Sequence, residues 1–367
     1  MKRVLIVKMF ALGDILMATV LLTNLRARFP GIKITWLVDA AHAGLLQANP
    51  LIDELIAFDS GRWRRLFRNG KFFPWLAEGL ALNNQLRLQQ LDAVINCHPD
   101  KWWTRFFCPA PVRVGLFRTA RLPWTRRLYT HPCPKPTHFH SSDRYFKGLE
   151  ALGLSGEFDR HMSLFVAERD QEWAQKFLCA QSGFRPGLPI IILHPGTSRA
   201  NKCWPTESFA AVAAALAPAS NVVITGSPSE EPLARAIIAA LCENRSEAGP
   251  KPLVAIGCLD GLGATAALVQ QASAVVTGDT VMLHMASALE TPLVGIFGST
   301  RPGENLPLYG PQALLYDDSV ACAPCYKGHC PLKGSQYLQC QRAVTPKQVL
   351  SALTQLSAES ARKEDTL

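Results

Sequence analysis

The stretch VLIVKMFALGDILMATVLL, residues 4–22, runs from a buried-strand pattern into a helical one, and the turn between them carries a carboxylate, Asp14. Where the first strand of an α/β domain meets its helix, glycines usually let a nucleotide phosphate approach the helix N-terminus. An aspartate there repels phosphate and suits proton abstraction instead; an N-cap of the first helix is its plainer use. In the second half, HPGTSRANKCWP (194–205) follows an apolar run and offers main-chain N–H groups near Gly196, the hydroxyls of Thr197 and Ser198, and Lys202. That set suits a phosphate or diphosphate, although the Gly-Lys-Ser/Thr order of a Walker loop is absent and a solvated polar turn has the same composition. In GSPSEEPLAR (226–235), Ser227, Pro228 and Glu230 spell a capping box, and the carboxylate equally suits ribose hydroxyls.

TGDTVMLHMASAL (277–289) sets Asp279 at an N-cap position, Thr280 beside it and His284 one turn into the helix. These groups are donors for an anion at a helix N-terminus, or a cap and a core histidine. GIFGSTRPGENLP (295–307) adds another glycine-rich loop after a strand. Four successive strand ends with hydroxyls, a lysine and helix starts, and no metal-ligand cluster among them, fit a nucleoside diphosphate.

Positioning these loops requires α/β units. In the first half RVLIVK, KITWLVD, DELIAFD and LDAVINC alternate with helical stretches, and RVGLF (113–117) is one more strand. A second series runs from LPIIILHPG through NVVITG, PLVAIG and SAVVTGD to PLVGIFG, with helices expected at 206–217, 229–243, 263–271 and 281–289. Such alternation predicts parallel sheets with helices on both faces, hence two Rossmann-like domains and a ligand cleft at the C-terminal strand ends. The expected boundaries are 1–165, 185–345 and a C-terminal helix and tail at 346–367, with the linker in 155–187.

At 367 residues, 48% apolar and 18% charged, the chain reads as globular. Lys8 and Asp14 interrupt the first apolar run, so neither a signal peptide nor a membrane span is expected, and the location reads as cytoplasmic. Residues 1–150 hold 22 Lys/Arg against 10 Asp/Glu, a net of +12, whereas the remainder holds 16 against 19. The first half therefore meets an acidic partner. GRWRRLFRNGKFFPW (61–75) interleaves Arg62, Arg64, Arg65 and Arg68 with aromatics, and Arg113, Arg118, Arg121, Arg126 and Arg127 form a second basic set. Both suit an anionic lipid surface or are simply solvated; no nucleic-acid motif accompanies them.

Across nearly its whole length the chain resembles the bacterial heptosyltransferases of lipopolysaccharide synthesis, glycosyltransferase family 9. The resemblance rests on VKMFALGDILMATVLLTNLRARFP, WLVDAAHAGLLQANPLIDELIAFD, HPGTSRANKCWP, GDTVMLHMASAL and FGSTRPGENLP in that order. It implies a GT-B fold and inverting, metal-independent transfer from a nucleotide-heptose, ADP-heptose being the expected donor. The acceptor it implies is the lipid A–core, and the location is peripheral at the inner face of the inner membrane. By the same resemblance Asp14 is the catalytic base and Thr197, Ser198 and Lys202 hold the donor phosphates. Glu230 (or Glu231), Asp279, Thr280 and His284 contact the nucleotide sugar. Arg62, Arg64, Arg65, Arg68, Arg113 and Arg118 then form an acceptor-docking face. Val281 departs from the family, which commonly has glycine there.

Of eleven cysteines, Cys322, Cys325, Cys330 and Cys340 cluster as CAPCYKGHCPLKGSQYLQC. Their spacing suits a structural Zn or Fe, reduced thiols or a local disulfide. No cofactor is expected for catalysis. The other functions that fit are a relative with another sugar donor or a protein acceptor, a nucleotide-dependent oxidoreductase, which the missing G-x-G-x-x-G disfavours, and a binding-only protein.

Overall fold

Strands whose every residue is apolar belong in sheets covered on both faces, and the chain builds two of them. The computed structural model describes residues 1–117, 126–134, 140–243, 250–256, 261–303 and 309–364. The chain divides into Met1–Phe165 and Val166–Leu367. The first unit contains β1 (Arg3–Val7), α1 (Leu12–Ala18), α2 (Val20–Arg28), β2 (Lys33–Asp39), β3 (Glu54–Phe58), α3 (Ser60–Arg68) and α4 (Phe72–Leu88). It continues with β4 (Ala93–Asn96), β5 (Val112–Leu116), β6 (His131–Cys133) and α5 (Asp143–Ala151). Its strands are all parallel, in the order β3-β2-β1-β4-β5-β6.

The second unit opens with α6 (Glu168–Ala180) and β7 (Ile190–His194), followed by α7 (Thr206–Leu216), β8 (Asn221–Gly226), α8 (Glu231–Glu243) and β9 (Leu253–Ile256). It goes on with α9 (Leu262–Gln271), β10 (Ala274–Gly278), α10 (Val281–Ala288), β11 (Leu293–Ile296) and β12 (Gln312–Leu315), and ends with α11 (Gln339–Arg342) and α12 (Pro346–Glu364). Its parallel order, β9-β8-β7-β10-β11-β12, repeats that of the first unit strand for strand. In both sheets the order reverses beside the first strand, so each has a switch point: β1/β4 in one, β7/β10 in the other. Loops leaving the C-terminal ends of those strands diverge and leave room for a ligand.

Alternation of side chains loads both faces of the second sheet. Ile191 and Leu193 of β7 pack with Phe209, Val222, Ile224 and the α12 residues Val349, Leu353 and Leu356. Ile192, one residue out of phase, packs with Val223, Val275, Leu268 and Leu283 on the other face. Helix α12 is therefore part of this core. Within the expected linker, α6 adds Ala174 and Leu178 to the second core, and Trp173 stacks on Phe177 at 5.1 Å.

The helical stretch that follows β1 is two helices. Thr19 ends α1 by returning its hydroxyl to the Leu16 carbonyl at 2.6 Å, while its oxygen accepts the Ser163 N–H at 2.7 Å. Gly115 on β5 is fixed by close approach: a Cβ there would lie 2.8 Å from Cγ of Tyr129 and 2.9 Å from Phe117. Gly115→Val should lower stability by about 1–3 kcal/mol through overpacking. Chemical denaturation checks this, and an unchanged midpoint would mean that the Tyr129 ring moves aside freely.

Candidate functional site

At the first switch point, β1 ends at Val7 and Lys8 continues inward, its side chain only 1% exposed. The strand is closed off by the Trp36 indole N–H donating to the Lys8 carbonyl at 3.1 Å. The chain then turns through Ala11 with φ of 65°, a left-handed conformation that residues other than glycine seldom adopt. Helix α1 follows at once, with Ile15 N–H bonded to the Ala11 carbonyl at 2.9 Å. Ala11 is thus the N-cap, and Asp14 sits in the first turn, where the helix dipole favours a carboxylate.

Two cations converge on one oxygen of that carboxylate. Lys8 Nζ lies 3.4 Å and the Arg144 guanidinium 3.2 Å from Asp14 Oδ2. Arg144 also donates to Tyr145 Oη at 2.6 Å, and that hydroxyl donates to the Asp14 carbonyl at 2.8 Å. Burial alone pushes the Arg144 pKa down; Tyr145 and Asp14 outweigh it and raise it, so the side chain stays a cation.

His98, just past β4, completes the cluster. Its Nε2 lies 3.4 Å from Lys8 Nζ and 3.3 Å from the Phe10 N–H. Both partners are donors, so Nε2 accepts and the proton resides on Nδ1. Burial first, and the Lys8 charge second, push His98 down to about 2, which keeps the ring neutral. A buried network holds it: His98 N–H donates to Asn96 Oδ1 at 2.8 Å, and Asn96 Nδ2 donates to Tyr129 Oη at 2.7 Å. Lys101 and Arg64 flank the neighbouring Phe10 ring, at 5.0 and 5.8 Å from its centre. The surroundings of Asp14 are therefore rich in cations and fit an anionic substrate.

At the second switch point the loop after β7 meets the loop after β10. Lys202, at the end of a 3-10 turn (Ala200–Lys202), pairs with Asp279 Oδ2, which also accepts the Thr300 hydroxyl at 2.9 Å. The pair neutralises a carboxylate that would otherwise repel an anion here. Thr197 Oγ1 bonds to the Arg199 carbonyl at 2.6 Å, and Ser198 is exposed beside it. Gly278 permits the approach, since a Cβ there would lie 3.1 Å from the Lys202 carbonyl and 3.3 Å from Thr197.

The N-cap of α10 is Thr280, whose hydroxyl accepts the Met282 N–H at 3.2 Å; Asp279 is spent on Lys202 instead. His284 is buried within α10. The Glu230 carboxylate lies where a Gly196 side chain would be, while Glu231 pairs with Arg235 at 2.7 Å. The capping box is real, with Glu230 Oε2 accepting the Ser227 N–H at 2.7 Å. His194, buried at the end of β7, is lowered chiefly by that burial, against the opposing charge of Glu230.

The segment from Cys322 to Arg342 supports these loops. Asn201 Nδ2 donates to the Lys327 carbonyl at 2.9 Å, Gln341 Nε2 to the Asn201 carbonyl at 3.3 Å, and Tyr326 N–H to the Ser299 carbonyl at 2.9 Å. Burial, then the neighbouring Cys322, Cys325 and Cys330, push the Cys340 thiol up to about 11. All four are free thiols, and among the described residues no group of three or more His, Cys, Asp or Glu is arranged to hold a metal. The Zn or Fe expectation therefore finds no fitting donor set.

The basic face also divides. Arg62 pairs with Glu78 at 2.7 Å, and Arg64, Arg65 and Arg68 are exposed. Arg113 is half-buried and gives two of its donors to main chain, Nε to the Leu128 carbonyl and an NH group to the Ala110 carbonyl, both at 2.9 Å. Arg118 and Arg121 lie outside the described residues. Lys8, His98, Lys101, Arg144 and Tyr145 are gathered at the first site without having been singled out from sequence. The one local signal was Lys8, a cation interrupting an apolar strand.

The family model of glycosyltransferase family 9 (heptosyltransferase) matches residues 80–336, more than half of the chain. The chain belongs to that family. It is 28% identical over 338 residues to a lipopolysaccharide heptosyltransferase 1 of Pseudomonas aeruginosa, covering 89% of this chain and 87% of that protein. A family 9 glycosyltransferase structure from Veillonella parvula superposes with a TM-score of 0.77 at 24% identity, covering 98% of this chain and 97% of that one. The Escherichia coli ADP-heptose lipopolysaccharide heptosyltransferase II structure gives 0.73 at 23% identity, covering 98% and 100%. The two Rossmann-like units, which the alternation of elements predicts, are those of the GT-B fold, which the family resemblance implies.

The neutral His98 sets a pH dependence. The unfolded chain protonates this ring near 6.5, whereas the folded protein resists until about 2. Across that window the unfolded state binds more protons, so stability falls as pH drops, by at most ~1.4 kcal/mol per pH unit from this group. His98→Gln should therefore lose less melting temperature than the wild type between about pH 7 and pH 5. Parallel acid slopes in the two proteins would contradict a neutral buried ring.

Proposed function

We propose that this family 9 enzyme transfers heptose from ADP-heptose to the lipopolysaccharide inner core with inversion, Asp14 acting as general base. The observation that carries the reading is the Asp14 carboxylate, held by Lys8 and Arg144 at the switch point of the first unit. The donor is taken from the Escherichia coli relative described as an ADP-heptose enzyme, and the acceptor from the Pseudomonas aeruginosa relative.

In this reading the first unit holds the acceptor and the second the donor. An acceptor hydroxyl attacks the anomeric carbon of heptose while its proton passes to the Asp14 carboxylate. The bond from the anomeric carbon to the diphosphate oxygen breaks, and ADP leaves carrying the negative charge. Lys202, the Thr197 and Ser198 hydroxyls and the main-chain N–H groups near Gly196 meet that charge, so the enzyme needs no metal for it. Asp279 keeps Lys202 in place, and Glu230 and Thr280 line the same loops against the nucleotide sugar. Arg64 and Lys101, which flank the Phe10 ring, draw in an anionic acceptor, as do the exposed Arg65 and Arg68. In this reading the enzyme works as a peripheral protein at the inner membrane, where a lipid-linked acceptor is met; no helix among the described residues is long and apolar enough to cross a membrane.

Asp14→Asn should lower kcat by about 10²–10⁴-fold with ADP-heptose binding unchanged. Lys202→Ala should weaken donor binding and kcat together, by about 10²-fold. Radiolabelled transfer to heptose-deficient lipopolysaccharide, with calorimetry for donor binding, reads both variants, and a chelator control reads metal independence. An Asp14→Asn enzyme as fast as wild type would refute the base, and loss of activity on chelation would refute metal independence.

A further inference from the structure

Helix α4 is apolar on two sides. Leu82 and Leu86 turn into the first unit, whereas Phe73, Leu76 and Leu80 stand on the outside, Phe73 being 89% exposed. Their spacing of three and then four residues puts them on one helical face. A stripe of this kind next to Phe67 and Phe72, both also exposed, is more apolar surface than scattered outward residues explain. The neighbouring tryptophans are not part of it. Trp63 is buried and stacks on Trp75 at 5.2 Å, and its indole N–H donates to the Trp75 carbonyl at 2.8 Å, which locks α3 against α4.

Around the stripe the charge has one sign. From Ser60 to Leu88 the sequence carries six cations, Arg62, Arg64, Arg65, Arg68, Lys71 and Arg87, against the single carboxylate of Glu78. Arg62 pairs with that carboxylate at 2.7 Å. The surplus decides between two occupants of an apolar stripe. A second copy of the chain related by a two-fold axis would set this surplus against itself. An anionic bilayer takes the aromatic and aliphatic side chains into its headgroup–acyl boundary and the arginines onto its phosphates.

We infer that the α3–α4 hairpin is the element by which this protein enters an anionic lipid surface, with Phe73, Leu76 and Leu80 inserting and Arg65, Arg68 and Lys71 on the headgroups. The inference deepens the acceptor reading above and rests on it for its purpose, because a lipid-linked acceptor is met at the membrane.

The test is flotation of the full chain with phosphatidylcholine vesicles, with and without about a third of phosphatidylglycerol. The wild type should float with the anionic vesicles and detach at high salt. The triple variant Phe73→Ser, Leu76→Ser, Leu80→Ser should partition at least about tenfold less, with an unchanged melting temperature because all three side chains are exposed. Arg65→Gln with Arg68→Gln should lose the preference for the anionic vesicles. Equal partitioning of the triple variant and the wild type overturns the inference, as does a wild type that ignores the vesicles. So does vesicle-independent dimerisation that the triple variant abolishes. Transfer to a lipid-free core oligosaccharide separates the two readings. The triple variant should retain it, and a wild type that floats but transfers nothing would sink the function while leaving the surface intact.

Discussion

A lysine with a buried side chain must be compensated, and Lys8 is placed at the end of the central strand of its sheet, where water cannot do it. An unpaired ammonium in that position costs several kcal/mol. Its compensation organises the first site: the Phe10 carbonyl accepts one hydrogen bond at 2.5 Å, Asp14 supplies the countercharge, and His98 offers a lone pair because its ring is neutral. Phe10 and Asp14 come from the turn after β1 and His98 from the loop after β4, the two connections of the switch point, so the fold and the site constrain each other. A lone Asp14 would need only a helix N-terminus to be content. The same carboxylate between Lys8 and Arg144 has a fixed orientation as well, and orientation is what general-base chemistry requires.

The second unit solves an opposite problem with the same topology. There the ligand expected is the anion, and a carboxylate beside it is tolerated only because Lys202 and Thr300 both bond Asp279. The lysine is thereby held at the strand ends. The cysteine-bearing segment from Cys322 onward contributes by bracing Asn201 and Ser299 from behind, through main-chain and amide hydrogen bonds rather than through sulfur. Two equivalent sheets thus present two different faces, one cationic around a carboxylate and one rich in hydroxyls around a paired lysine.

Much of the fold was legible because unbroken apolar runs such as IIILH and AVINC admit only buried parallel strands, and glycine-rich turns mark where they end. The loops of the second unit were legible for the same reason: Thr197 and Asp279 lie within three residues of a strand end, and Lys202 follows on the same loop as Thr197. The supports of Asp14 were not, because they are distant in sequence. His98 is 90 residues from Lys8, and Tyr145 is 131 from Asp14. Local pattern also misassigned details that depend on competition. Asp279 looks like the better cap, yet Lys202 claims it and leaves capping to Thr280. Arg113 looks like a surface cation, yet it is half-buried and nearby carbonyls take two of its donors. The aromatic run at 61–75 reads as one surface, and only the packing of α3 on α4 sorts Trp63 and Trp75 inward from Phe67, Phe72 and Phe73 outward.

If Arg144 positions Asp14 and keeps it ionised, removing that charge must do more than destabilise the loop. The direct measurement is the pH dependence of kcat/KM for Arg144→Met beside the wild type. Loss of a cation 3.2 Å from the carboxylate makes protonation easier, so the acidic limb of the profile should move to higher pH while the fold persists. An acidic limb that stays where it is, with activity merely scaled down, would contradict the claim that Asp14 is the titrating base and that Arg144 acts through it.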